Sequence, residues 1–119
     1  MDSRRALPVC RLDEIPDGTM KGVEVDGRPL VLVRKGERVF AMRDICPHQG
    51  TRLSTGTLSS APCATGVGDY RLEHVGQIVR CPWHNWEFNA EDGRCLHDPQ
   101  VRVATYGAQV EAGRVLVTV

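Results

Sequence analysis

The sequence has no long hydrophobic run and no excess of charge of either sign. No stretch approaches the ~20 consecutive apolar residues that a membrane-spanning helix requires, and no apolar run follows the N-terminal arginines as a secretory signal would need. With 15 basic and 15 acidic residues the net charge is zero, so there is no strongly basic footprint for nucleic acid or for an anionic membrane. We therefore expect a cytoplasmic protein with neither of those partners.

The chain is also short and has few aromatic residues. Its 119 residues provide for a single domain over 1–119 with one core, but not for a second catalytic module. Aromatics make up 5% of the sequence, and two of the six, Trp83 and Trp86, fall within one short stretch beside a Cys and a His. Neither a Ser/His/Asp set nor a phosphate-binding glycine loop is evident, so we predict no catalytic residues.

Short β-prone runs separated by turn signals fill most of the chain, and no window has a convincing helical period. Asp26-Gly27 is a strong signal for a two-residue hairpin turn. This pattern predicts an all-β fold, an antiparallel sandwich or small barrel. The strands are expected at about 8–12, 21–25, 28–34, 38–43, 87–89, 94–96, 101–103, 106–111 and 114–119.

Two short stretches carry candidate metal ligands. Cys46 and His48 have Cys-x-His spacing, Cys81 and His84 have Cys-x-x-His spacing, and a proline directly follows each cysteine. Two thiolates with two imidazoles suit zinc or an iron–sulfur cluster and do not suit calcium or magnesium. Five cysteines is an odd number, which in a cytosolic chain favours metal binding over disulfides. On donor types alone, a structural zinc site and an iron–sulfur cluster both remain open.

The stretches around these ligands resemble the Rieske family. The matching segments are Cys46-Pro47-His48-Gln49-Gly50, with Leu53 and Gly56 after it, and Cys81-Pro82-Trp83-His84-Asn85-Trp86, with Phe88 after it. The resemblance implies one [2Fe-2S] cluster per chain, with Cys46 and Cys81 on the inner iron and His48 and His84 on the outer iron. It also implies a two-loop cluster-binding subdomain, with loops at about 44–54 and 78–89.

Within that family, the sequence resembles the low-potential, oxygenase-associated branch. Thr51 and Trp83 occupy the positions at which the high-potential branch has a disulfide between the loops. Trp86 and Phe88 replace the Ser and Tyr whose hydroxyls donate hydrogen bonds to the cluster sulfurs. Because such donors stabilise the extra charge of the reduced state, losing them is expected to lower the reduction potential.

The sequence departs from the family pattern in two places. Asn85 stands where the family usually has Gly, and Asn is among the residues that tolerate a positive φ. The 32 residues between His48 and Cys81 are about twice the usual spacing, so we expect an insertion at about 58–75 that contains Cys63. The insertion is either a tolerated surface loop or a flap that shapes the choice of partner.

The length of the chain leaves no room for the mononuclear iron domain of an oxygenase. The leading hypothesis is a soluble Rieske ferredoxin, an electron-transfer component and not itself an enzyme. It would carry single electrons from an NAD(P)H-dependent flavoprotein reductase to a terminal oxygenase. The alternatives are the small Rieske subunit of an assimilatory nitrite reductase and a zinc-stabilised interaction domain without a redox role. Outside the two loops, Cys10 and Cys95 are expected to be small buried residues, and His74 and His97 are not expected to be ligands.

Overall fold

The computed structural model describes residues 6–47, 50–58, 77–82, 86–96, 98 and 100–119. Nine strands lie within these residues, and all their pairings are antiparallel. They are β1 (Ala6–Arg11), β2 (Met20–Val25), β3 (Arg28–Lys35), β4 (Arg38–Arg43), β5 (Thr57–Leu58), β6 (Ile78–Arg80), β7 (Glu87–Asn89), β8 (Thr105–Glu111) and β9 (Arg114–Thr118). The larger sheet has the order β1-β9-β8-β4-β3-β2, and the smaller has the order β5-β6-β7. The predicted all-β, antiparallel fold is confirmed.

Three details differ from the sequence prediction. The expected strands at 94–96 and 101–103 are reduced to isolated bridges, one between Arg94 and Arg102 and one between Cys95 and Phe88. Two hydrogen bonds form the first bridge, from the N–H of Cys95 to the carbonyl of Val101 and from the N–H of Val103 to the carbonyl of Gly93, and the pairing does not extend further. The short strands β5 and β6 were not predicted. Helical structure in the described part amounts to two 3-10 turns, Leu12–Glu14 and Leu53–Thr55, and neither has the length or apolarity that a bilayer span requires.

Strand β3 has an uninterrupted apolar run because both of its faces are buried. Leu30 and Leu32 face the interior of the larger sheet, whereas Val31 and Val33 face the opposite side, and all four are fully buried. A strand covered on both faces is expected to read as continuously hydrophobic and not as alternating.

The core inside the larger sheet, here called the barrel core, draws on strands that are not neighbours. Its buried members are Ile15, Val25, Leu30, Leu32, Val39, Ala41, Val115 and Val117. Since β3 and β9 are separated by β4 and β8 in the sheet, they share a core only because the sheet curls on itself.

A second core, here called the junction core, lies between the larger sheet and the smaller one. Its buried members are Val31, Val33, Phe40, Met42, Cys46, Leu53, Val79, Cys81, Phe88, Ala90, Cys95 and Val103. Residues of β3 and β4 thus pack with residues of β6 and β7. Both cysteines that the sequence predicts as ligands belong to this core, so the fold brings the starts of the two loops together.

Candidate metal centre

The first ligand loop begins where β4 ends and turns back within a few residues. The N–H of Cys46 donates to the carbonyl of Thr51 (2.7 Å), and the N–H of Gly50 donates to the carbonyl of Cys46 (2.7 Å). Gly50 has a φ of +72°, which glycine adopts without the steric cost that a side chain would add. The resulting tight turn holds Cys46 fully buried in the junction core.

A buried carboxylate closes the base of this loop. Asp44 is only 2% exposed. Its Oδ1 accepts the N–H of Ser54 (2.7 Å), and its Oδ2 accepts the Ser54 hydroxyl (2.6 Å). The N–H of Asp44 donates to the carbonyl of Pro29, at the start of β3 (2.9 Å). These contacts, here called the Asp44–Ser54 clamp, fix both ends of the loop against the larger sheet.

Strand β2 packs closely against the clamp. A Cβ on Gly22 would lie 2.8 Å from the Ser54 hydroxyl oxygen and 3.2 Å from Oδ2 of Asp44. The absence of a side chain at position 22 therefore makes room for the clamp on this side.

The second ligand loop joins β6 to β7 in the smaller sheet. Cys81 follows β6 directly and is fully buried, and its N–H donates to the carbonyl of Trp86 (2.7 Å). Phe88, on β7, pairs with Val79 of β6 and is also fully buried. Because Phe88 has no hydroxyl, it offers no side-chain donor in the place where the high-potential branch has a Tyr.

The smaller sheet also depends on a close backbone approach at Gly56. A Cβ on Gly56 would lie 1.9 Å from the carbonyl oxygen of Arg80, a distance no side chain could tolerate. Gly56 directly precedes β5, and Arg80 is the last residue of β6. This glycine therefore lets the chain leaving the first loop lie against the strand that leads to the second.

Buried amides link the smaller sheet to the larger one. The side-chain amide of Gln77 donates to Oδ1 of Asn89 (2.8 Å), and its carbonyl accepts from Nζ of Lys35 at the end of β3 (2.9 Å). Both Gln77 and Asn89 are 2% exposed. This chain of hydrogen bonds holds the β6–β7 hairpin in a fixed position relative to β3.

Of the four predicted ligands, the structure places the two cysteines. Cys46 and Cys81 are buried in the same apolar core, whereas His48 and His84 lie outside the described residues. Within the described ranges no group of three or more His, Cys, Asp or Glu side chains could hold a metal ion, so the described donors alone do not complete a site. Two thiols in one apolar core nevertheless fit the sulfur ligands of an iron–sulfur cluster, because soft iron–sulfur centres take thiolate ligands.

Of the remaining candidates from the sequence, some lie within the described residues and others lie outside them. Cys95 is 1% exposed in the junction core, as expected for a small buried residue, and Cys10 is only partly buried. Burial raises the pKa of the Cys10 thiol; the nearby Glu14 raises it further, and Lys21 lowers it. Cys10 therefore stays protonated at neutral pH and lacks the thiolate character of a ligand. The other candidates, Cys63, His74, Asn85, His97 and most of the expected insertion at 58–75, lie outside the described residues.

The sequence reasoning missed the clamp. Asp44 and Ser54 stand ten positions apart, at the two ends of the expected first loop, and a carboxylate and a hydroxyl there were the available signal. Nothing in either residue by itself separates a buried clamp from two ordinary loop residues.

Comparison with known proteins identifies relatives over nearly the whole chain. The family model of the Rieske [2Fe-2S] domain matches residues 5–107. The ferredoxin component of the alkene monooxygenase system of Xanthobacter autotrophicus is 28% identical over 116 residues, which cover 98% of this chain and 83% of the relative. The ferredoxin component of the naphthalene 1,2-dioxygenase system of Pseudomonas aeruginosa is 30% identical over 112 residues, which cover 93% and 92%.

Solved structures show the same likeness. A Mycobacterium tuberculosis protein assigned as the small subunit of an NADH-dependent nitrite reductase superposes with a TM-score of 0.79 at 29% identity, covering 99% of this chain and 97% of that one. A chain from the complex of reduced oxygenase and oxidised ferredoxin in carbazole 1,9a-dioxygenase superposes with a TM-score of 0.73, also at 29% identity, covering 94% and 91%.

Proposed function

Because the chain belongs to the Rieske [2Fe-2S] domain family, whose domain carries one [2Fe-2S] cluster per chain, we propose that it is the ferredoxin of an oxygenase system. In this role it accepts single electrons from an NAD(P)H-dependent flavoprotein reductase and delivers them to a terminal oxygenase. It transfers electrons without catalysing a reaction on a substrate of its own.

The observation that carries this proposal is that the match to a ferredoxin covers nearly the whole of both chains. The match to the naphthalene 1,2-dioxygenase ferredoxin component covers 93% of this chain and 92% of the relative. The likeness is therefore to a whole ferredoxin and not only to a cluster domain embedded in a larger enzyme.

We assign Cys46 and Cys81 to one iron and His48 and His84 to the other. A [2Fe-2S] cluster held by these four residues supplies one-electron oxidation and reduction. The protein's own contribution is to position the ligands before binding. The turn at Cys46, the Cys81–Trp86 hydrogen bond and the Asp44–Ser54 clamp hold both loops in place, and the junction core keeps water from the thiols.

The same surroundings support a potential in the low range of the class. Phe88 is fully buried and lacks a hydroxyl, so it cannot donate the hydrogen bond that raises the potential in the high-potential branch.

A second candidate, the small Rieske subunit of a nitrite reductase, is favoured by one specific observation. The Mycobacterium tuberculosis protein assigned to that role superposes with a TM-score of 0.79 and covers nearly all of both chains. The two candidates differ in their partner. The ferredoxin is expected to exchange electrons while free in solution, whereas the subunit is expected to co-purify with a large catalytic chain. The zinc-stabilised domain, which the donor types alone left open, does not accord with the family match.

The decisive experiment is electron paramagnetic resonance of anaerobically purified protein after reduction with dithionite. Mixed Cys/His ligation should give an average g value below that of a four-Cys cluster. Analysis should find iron and acid-labile sulfide in equal amounts, two of each per chain as a [2Fe-2S] cluster requires.

Variants of the histidines test the ligand assignment in the same measurement. His84→Ala should abolish the signal, whereas His74→Ala and His97→Ala should keep it. Protein without iron and sulfide, or with a four-Cys signal, would refute the assignment.

A further inference from the structure

A surface groove of about 350 Å³ opens beside the first ligand loop. It is lined by Arg43, Ile45, Pro47, Arg102, Val103 and Ala104. Two chain segments build it: the end of β4 continuing into the loop, and residues 102–104. They are joined by a hydrogen bond from the N–H of Arg43 to the carbonyl of Ala104 (2.8 Å). Because Pro47 directly follows Cys46, one wall of the groove is the ligand loop itself.

Two of the residues that line the groove are positively charged. Arg43 and Arg102 are both exposed, and none of the ion pairs within the described residues involves either of them. Arg94 lies opposite Arg102 across an isolated bridge and adds a third positive charge to this side. Elsewhere on the surface the exposed Arg38 is paired with Glu91 at 3.2 Å. A chain of zero net charge thus has a local positive field beside its predicted cluster loop.

We propose that this groove docks a carboxylate-bearing segment of the terminal oxygenase. The inference rests on the proposed function and goes further, since it names the surface and the sign of the partner's charge. The guanidinium groups of Arg43 and Arg102 are suited to bidentate hydrogen bonds with carboxylates, and Ile45 and Pro47 offer apolar contact between them. A terminal oxygenase is the expected occupant because a relative of 29% identity forms a complex with its oxygenase.

The position of the groove gives docking there a functional consequence. An acceptor seated on Pro47 lies against the residue that follows a predicted iron ligand, so the electron would leave through a very short stretch of protein. Complementary charge mainly raises the rate of encounter, and in this chain the steering has to come from a local patch because the net charge is zero.

The first test uses two inorganic oxidants of opposite charge on the dithionite-reduced holoprotein. Hexacyanoferrate(III) is a trianion and hexaamminecobalt(III) a trication; each accepts one electron from the protein, giving Fe(II) or Co(II). At low ionic strength, Arg43→Glu combined with Arg102→Glu should slow reoxidation by hexacyanoferrate(III) about tenfold or more and accelerate reoxidation by hexaamminecobalt(III). Both effects should shrink in high salt.

Arg114→Glu is the matched control for the single variant Arg102→Glu. Arg114 is exposed, is the first residue of β9 and lies far from the groove. The carbonyl of its neighbour Gly113 accepts the N–H of Leu12, and the carbonyl of Leu12 accepts from the Arg34 side chain. Arg34 lies near the end of β3 that is remote from the groove. The control should change either rate less than about twofold. Equal changes in Arg102→Glu and Arg114→Glu, or changes of the same direction with both oxidants, would overturn the proposal.

The second test measures binding without electron transfer. In a nuclear magnetic resonance titration of the oxidised holoprotein, a glutamate decapeptide should shift the backbone amides of Arg102 and Ala104. These shifts should disappear in high salt and in the variant Arg43→Gln with Arg102→Gln, which avoids a reversed charge and so guards against misfolding. Shifts confined to other surfaces, or no shifts, would contradict the proposal.

The experiments distinguish failure of the docking proposal from failure of the proposed function. Wild-type protein without the reduced Rieske signal would refute the ferredoxin assignment. Variants that keep that signal and the wild-type reduction potential, but also keep wild-type oxidation rates and peptide shifts, would refute only the docking groove.

Discussion

The two sheets of this molecule bury their interiors in different ways. The barrel core is entirely apolar, and strands β3, β4, β8 and β9 around it are five to eight residues long. The smaller sheet has strands of two or three residues. Every buried polar or charged side chain within the described ranges lies in the smaller sheet or its adjoining loops, namely Asp44, Gln77, Glu87 and Asn89.

This difference indicates that the two regions depend on different sources of stability. Apolar burial along long strands stabilises the larger sheet whether or not a ligand is bound. Strands of two or three residues are too short to be stable alone, so the smaller sheet needs side-chain hydrogen bonds, the junction core and the bound cofactor. The predicted cluster loops therefore belong to the region whose order is most dependent on the cofactor.

The largest expected effect comes from removing a thiol. Cys46→Ser should abolish bound iron and sulfide, because the variant lacks one of the two sulfur ligands. Hydrogen exchange should then show lost protection in β6 and β7 but retained protection in β3 and β4, since the barrel core contains neither ligand cysteine. Iron and sulfide analysis gives the first result, and amide exchange gives the second.

Cys10→Ser is the control for this experiment, because Cys10 lies on β1 beside the barrel core. It should keep the full complement of iron. Retained iron in Cys46→Ser would contradict the ligand assignment, and lost protection throughout both sheets would contradict the independence of the larger one.

A smaller effect is expected from filling the close contact at Gly56. A Cβ in Gly56→Ala would meet the Arg80 carbonyl at 1.9 Å, so β5 and β6 must separate. We expect a loss of about 3 kcal/mol in the free energy of unfolding, typical of a severe overpacking clash. Chemical denaturation measures it.

Gly113→Ala provides the comparison in the larger sheet. Gly113 has a φ of +77°, and the Cβ of an alanine at this position would lie in open space. The substitution therefore adds only backbone strain, of about 1 kcal/mol. Equal losses in the two variants would show that the contact with Arg80 relaxes easily, against the expectation.

The larger sheet was predictable from the sequence because its signals are local. Asp26-Gly27 predicts a hairpin, and both residues adopt the positive φ of a tight turn, at 52° and 78°. The apolar run in β3 predicts a strand, which the structure shows at Arg28–Lys35. Each of these elements is encoded by adjacent residues, so no knowledge of the tertiary contacts is needed.

The smaller sheet was less predictable for a physical reason. Strand β7 was predicted at 87–89 and lies at Glu87–Asn89, but Thr57–Leu58 and Ile78–Arg80 were missed because they contain too few positions to show alternation. The cysteines were identified because residue type and spacing restrict metal chemistry. Asp44 was not identified, because its role depends on a contact with Ser54 that forms only in the folded structure.

The Asp44–Ser54 clamp is expected to contribute less than Gly56 but more than a surface contact. Asp44→Ala leaves the Ser54 N–H and hydroxyl without their partner in a partly buried site, which should cost about 2 kcal/mol. Iron should also be lost faster to a chelator, because the first loop is no longer closed at its base. Denaturation and the rate of iron release are the measurements.

Asp13→Ala is a suitable control, since Asp13 is exposed and its ion pair within the described residues is a surface contact with Arg11. It should change neither quantity appreciably. If Asp44→Ala behaved like Asp13→Ala, the clamp would have no part in holding the loop.

The smallest effect is expected from the exposed ion pair that connects the two regions. Arg38, at the start of β4, lies 3.2 Å from Glu91, which follows β7, and the two side chains are 61% and 48% exposed. Solvent screening limits such a pair, so Arg38→Ala should lose only about 0.5 kcal/mol. Part of even this loss reflects the Arg38 guanidinium lying 4.7 Å from the Phe40 ring centroid.

A double-mutant cycle with Glu91→Ala isolates the pair from the other contacts of Glu91, which include a hydrogen bond from the amide of Gln77. The coupling energy should stay below about 1 kcal/mol and fall as salt is added. A larger coupling that resists salt would mean that charge, and not the junction core and the buried amides, holds the two sheets together. In that case the smaller sheet would keep its position without the cofactor, and the contrast between the two regions would fail.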